Sequence, residues 1–122
     1  MGTDKAEIDV GGMRMIDRVV DAVSDATQVI VVGPPRRTAR PVVWLREDPP
    51  GGGPLPAVLA GLSVVTAPFV AVVAVDMPLF ERATIEALRA AVGDHDAAVL
   101  VDVEERIQPL AAFHRTERLR AA

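Results

Sequence analysis

Apolar residues recur along the chain at two spacings. Met15, Ile16, Val19, Val20 and Val23 fall three and four apart, which predicts an amphipathic helix over residues 13–26. Residues 28–32 form a short β-branched run ended by Gly33-Pro34-Pro35, the pattern of a buried strand, and residues 42–45 predict a second. Residues 47–53 are too rich in Pro and Gly for regular structure. Pro54 suits the first turn of a helix over residues 55–65. Residues 69–75 are almost wholly apolar, as in a strand covered on both faces, until Asp76-Met77-Pro78 ends the run. Ile85, Leu88 and Val92 lie on one stripe of a predicted helix over residues 81–92, with Gly93 as its stop. Residues 97–101 read as a strand, 102–106 as a charged hairpin connection, 109–114 as the returning strand and 115–122 as a last helix. Strands alternating with helices predict an α/β fold of three layers, with right-handed crossovers and a mainly parallel sheet. Ligands of such sheets sit beyond the carboxyl ends of the strands, so Gly33, the loop at 48–53, Asp76 and Asp102 are the positions where chemistry is expected.

Composition narrows this further. The 122 residues are 50% hydrophobic, 25% charged and 3% aromatic, which fits one domain over residues 1–122 and excludes a disordered chain. There is no Cys, hence no disulfide scaffold, thiolate metal site or cysteine nucleophile. The net charge of −4 provides no chain-wide attraction to nucleic acid or anionic membrane. No charged-then-apolar leader opens the sequence, and the apolar run before Asp76 is shorter than the ~20 residues that cross a bilayer. A soluble cytoplasmic protein is expected.

Several residues could carry chemistry. Asp76 follows a buried strand, where a carboxylate either holds Mg²⁺ beside a polyphosphate or caps the next turn. Gly51-Gly52-Gly53-Pro54 would let backbone approach a ligand ahead of a helix N-terminus, though flexible surface loops also look like this. Lys5 is the only Lys among many Arg, and its ammonium could neutralise phosphate or lie on a solvated terminus. Arg36, Arg37 and Arg40 read as a solvated loop within reach of an anion, and His114 as a surface residue or one facing substrate. His95 and His114 lack metal-ligand spacing, and there is no Gly-x-Ser-x-Gly elbow.

The order M-G-T-D-K, amphipathic helix, V-I-V-V-G, E-D-P-P-G-G-G-P-L, F-V-A-V-V-A-V-D-M-P and Q-P-L-A-A-F-H-R resembles the molybdenum cofactor guanylyltransferases, within the Rossmann-like nucleotidyltransferases. The resemblance runs through the whole chain, and M-G-T-D-K, the G-G-G-P-L loop and the V-D-M-P strand end are its most specific parts. It implies transfer of GMP from GTP to molybdopterin with release of pyrophosphate. By resemblance, Lys5 contacts the nucleotide phosphates, and Gly33, Pro34, Asp48, Gly52, Gly53, Pro54 and Leu55 receive base and ribose. Asp76 is the implied Mg²⁺ ligand, and Gln108, Pro109 and Leu110 lie toward the acceptor. The implied partners are GTP and a molybdopterin-type small molecule, with no nucleic acid or membrane. Two alternatives stay open: a cytidylyltransferase of the same family, and a non-catalytic nucleotide- or partner-binding module.

The family pattern also contains residues that this sequence lacks. It places a hydrophobic strand and L-A-G-G-x-x-x-R ahead of M-G-x-D-K, and continues beyond the position of Ala122. The expected fold is therefore truncated at both ends. Residues 1–122 alone are expected to be poorly stable or to associate with another chain, because the strand ahead of M-G-x-D-K would lie inside the sheet.

Overall fold

A computed structural model describes residues 9–10, 13–47, 54–75, 81–102 and 104–121. The described residues open with a small antiparallel pair, β1 (Asp9–Val10) and β2 (Met13–Arg14), followed at once by α1 (Met15–Ala22). Next come β3 (Ile30–Val32), β4 (Val43–Leu45) and α2 (Pro54–Leu62). β5 (Phe69–Val73), α3 (Arg82–Val92), β6 (Ala97–Val101), β7 (Ile107–Arg115) and α4 (Thr116–Ala121) complete the order. The first helix is shorter than its hydrophobic period. Met13 and Arg14 are drawn into the β1–β2 pair, and Ser24 and Asp25 favour turns that compete with helical bonding. Accordingly the Ala26 N–H donates to the Val23 carbonyl at 3.0 Å.

The strands form two main groups. β3 and β4 pair in parallel, with Val31 opposite Trp44. β5, β7 and β6 form a three-stranded sheet in that spatial order, and β7 is antiparallel to both neighbours. The expectation of a mainly parallel sheet is thus corrected. The physical reason is the short connection at 102–106: so few residues can only reverse the chain, whereas a parallel return needs a crossover of about a dozen residues or more. The reversal inserts β7 between β6 and β5. Among the described residues β3 pairs only with β4 and β5 only with β7.

One helix packs against both groups. Ile16 and Val20 of α1 pack with Val29, Val31, Val42 and Trp44 around β3 and β4, and with Val75 just past β5. Ala22, at the other end of α1, joins Leu88 of α3 and Ala111 of β7, with Val73, Ala98, Leu100 and Phe113 against them. Val31 and Val32 point to opposite faces of their strand, and Val32 touches α2 near Gly61. The β3–β4 pair is therefore sandwiched between α1 and α2, a layered α/β arrangement. α3 packs on β6 and β7. α2 is apolar nearly all round, yet only Leu62 is buried, and Leu55 and Leu59 are 67% and 58% exposed. Among the described residues no helix is long and apolar enough to cross a membrane.

Candidate functional site

The β6–β7 hairpin has a carboxylate at its centre. Asp102 Oδ1 accepts the backbone N–H groups of Glu104 and Arg106, each at 2.9 Å. Its Oδ2 accepts Arg106 Nε at 3.3 Å and Gln108 Nε2 at 2.9 Å. Glu105 takes φ +63° to close the turn. The Arg106 N–H lowers the Asp102 pKa below its ordinary value, with further help from Glu104, Gln108 and the Arg106 side chain against an opposing effect of desolvation. Its place after a strand marks Asp102 in the sequence as a position where chemistry is expected, but not as the carboxylate that closes the hairpin. Its role is visible only once the hairpin register is known.

β5 and β6 both oppose β7 and so run parallel to each other. Their carboxyl ends share the edge where β7 begins, with Leu100 opposite Gln108 and Val101 opposite Ile107. The Ala74 N–H donates to the Leu110 carbonyl at 2.8 Å, so the 108–110 stretch borders the segment that leads into residue 76. Gln108 and Leu110 are partly buried and Pro109 is exposed. At the end of β3, the Gly33 N–H donates to the Leu45 carbonyl at 2.8 Å. Gly33 has φ +152°, which L side chains rarely adopt, so any other residue there would be strained although a Cβ would meet open space. Pro34 beside it is exposed, as are Pro54 and Leu55 at the start of α2. Lys5, Asp48, Gly52, Gly53 and Asp76 lie outside the described residues.

The arginine loop after β3 is anchored to α1. Asp17 Oδ2 accepts Arg14 Nε and Nη2 at 3.0 and 2.9 Å, while its Oδ1 accepts the Ala39 N–H at 2.9 Å. Arg14 also donates to the Arg37 carbonyl. Arg40 Nη2 lies 2.9 Å from Asp21 Oδ1, both side chains half exposed. Asp17 and Asp21, four residues apart on α1, thus fasten this loop, a role sequence reasoning missed; their spacing on one helix face was the available signal.

His114 is placed far from the carboxyl edge. It pairs with Val70 and Ala97, near the amino ends of β5 and β6, and burial pushes its imidazole below the ordinary value. An open cavity of about 370 Å³ there is lined by Asp96, His114, Arg118 and Leu119. A second open cavity of about 360 Å³ lies at the amino ends of β3 and β4, beside Ser24, Gln28 and Arg40. Both are therefore on the side opposite the expected ligand edge. Among the described residues no group of three or more His, Asp or Glu could hold a metal ion.

Comparison with known proteins adds a lineage to this geometry. The family described as MobA-like NTP transferase domain matches residues 1–122. A probable molybdenum cofactor guanylyltransferase of Natronomonas pharaonis is 34% identical over 98% of this chain and 63% of its own length. One from Synechococcus elongatus is 30% identical over 94% of the chain and 65% of its own length. One from Mycobacterium bovis is 34% identical over 96% and 62%. The chain thus spans less than two thirds of these curated relatives. Among solved structures, a 2-C-methyl-D-erythritol 4-phosphate cytidylyltransferase from Thermus thermophilus superposes with TM-score 0.72 at 23% identity, covering 96% of this chain and 68% of that one. A molybdopterin-guanine dinucleotide biosynthesis protein A from Archaeoglobus fulgidus gives TM-score 0.66 at 20% identity, covering 95% and 61%. Both likenesses concern the fold.

Proposed function

The chain belongs to the MobA-like NTP transferase family, and on that basis we propose that it transfers GMP from GTP to the phosphate of a molybdopterin-type acceptor and releases pyrophosphate. The observation that carries the reading is the match of the family over residues 1–122, together with relatives named as probable molybdenum cofactor guanylyltransferases.

An oxygen of the acceptor phosphate attacks the α-phosphorus of GTP. The bond from that phosphorus to the bridging oxygen of the β-phosphate breaks, and the electron pair leaves with pyrophosphate. The acceptor phosphate is already anionic at neutral pH, so no strong general base is needed, and catalysis reduces to alignment and charge neutralisation. Lys5 would place its ammonium on the nucleotide phosphates, and Asp48 with Gly52, Gly53, Pro54 and Leu55 would receive guanine and ribose alongside Gly33 and Pro34. The exposed start of α2 and the open space at Gly33 leave room for such a ligand. A single carboxylate at position 76 fits Mg²⁺, which binds through one or two carboxylates plus substrate phosphate oxygens and neutralises charge on the leaving group. Gln108 to Leu110 would form the acceptor side of the same edge.

The test is pyrophosphate release from GTP or CTP in the presence of molybdopterin. Release from GTP at least about ten times faster than from CTP supports the guanylyl reading. Faster release from CTP assigns the cytidylyl branch, and no release from either overturns nucleotidyl transfer.

A further inference from the structure

Gln108 stands at the edge where β5 and β6 end, and its amide is held from one side. Its Nε2 donates to Asp102 Oδ2 at 2.9 Å. An ionised carboxylate only accepts hydrogen bonds, so the group facing Asp102 must be the NH₂ and not the carbonyl. The same carboxylate is fixed through its other oxygen by the backbone of Glu104 and Arg106, so it cannot turn without breaking the hairpin. Gln108 is therefore set in one of its two amide orientations, with Oε1 turned away from Asp102. Among the described residues no donor satisfies Oε1. The neighbouring Arg106 could have provided one, yet it is engaged with Asp102 and Glu104.

We propose that Asp102 is a positioning residue for the acceptor substrate: it orients the Gln108 amide so that Oε1 is offered as a hydrogen-bond acceptor to an N–H donor on the acceptor molecule. This rests on the transfer reaction proposed above. Gln108 belongs to the three-stranded sheet, whereas the positions assigned to the nucleotide that the structure describes lie at the end of β3 and the start of α2. Residues 108–110 are also the stretch that the proposed reaction assigns to the acceptor, so the contact is taken to be with the acceptor. The depressed pKa of Asp102 keeps it ionised throughout the neutral range, so the orientation does not change with pH there.

The test reverses the amide polarity. In D102N the new side chain can still accept the Glu104 and Arg106 N–H groups, but presents its own NH₂ to Gln108, which must then offer Oε1 inward and point NH₂ away. The expected result is a rise of about tenfold in KM for the acceptor, with KM for GTP within about twofold of wild type. Adding Q108E to D102N restores an outward acceptor oxygen and should bring the acceptor KM back. Q108M leaves the Asp102 backbone bonds intact and should raise the acceptor KM to a similar extent, which covers the case in which D102N does not fold. An unchanged acceptor KM in Q108M, equal rises in both KM values, or no recovery in the double variant overturns the inference alone. A wild-type protein that transfers no nucleotide overturns the transfer reaction, and this inference with it.

Discussion

Asp102 and Asp76 are both carboxylates that follow a strand, yet they have different fates. Asp102 accepts four hydrogen bonds from its own hairpin and is committed to local structure. Its folded-state pKa is depressed, so its contribution to stability is complete above the unfolded value of about 3.9 and is lost as pH falls through the lower folded value. The melting temperature of wild type should therefore exceed that of D102N most at neutral pH, and the gap should close below about pH 4. A gap that stays constant down to the acid limit contradicts this. Asp76, by contrast, is the residue on which we place Mg²⁺. Asp76→Ala should abolish the Mg²⁺-dependent part of GTP binding while leaving the melting temperature nearly unchanged. GTP affinity that still responds to Mg²⁺ in that variant removes the site from position 76.

At the scale of elements, α1 carries more of the fold than its length implies, because it packs on both strand groups. Ile16 is 2% exposed within the cluster around Trp44. Ile16→Ala should cost about 2–5 kcal/mol, read from the shift of a urea unfolding midpoint. Leu55, 67% exposed at the start of α2, should cost no more than about 0.5 kcal/mol when replaced by Ala. If the proposed base and ribose contacts are right, Leu55→Ala should nevertheless raise KM for GTP. The elements themselves could be read to different depths. β6 matches its predicted span end to end, since five apolar residues and a charged turn leave no other choice. α1 was overextended because hydrophobic period says nothing about the β1–β2 pair that claims Met13 and Arg14. The antiparallel insertion of β7 was half visible, as a returning strand after a charged hairpin, but its pairing with β5 is a contact between distant segments that no local pattern records. The Asp102–Gln108 bond was invisible for the same reason, while the candidate nucleotide positions came from motif order alone.

At the scale of the molecule, the two strand groups are joined by helix packing, and among the described residues no strand bonds β3 to β5. Unpaired strand edges are templates for association. Exposed Leu55, Leu59, Val101 and Ile107 add apolar surface. Residues 1–122 in isolation should therefore sediment as more than a monomer at micromolar concentration, or unfold over a broad urea range. A single sharp transition from a monodisperse monomer contradicts that expectation. The proposed function itself is chemical. Its most direct test is mass spectrometry of molybdopterin incubated with the protein, GTP and Mg²⁺. Nucleotidyl transfer gives a product heavier by one GMP unit and one equivalent of pyrophosphate for each molecule formed. Unaltered acceptor, with GTP either intact or merely hydrolysed, would contradict it.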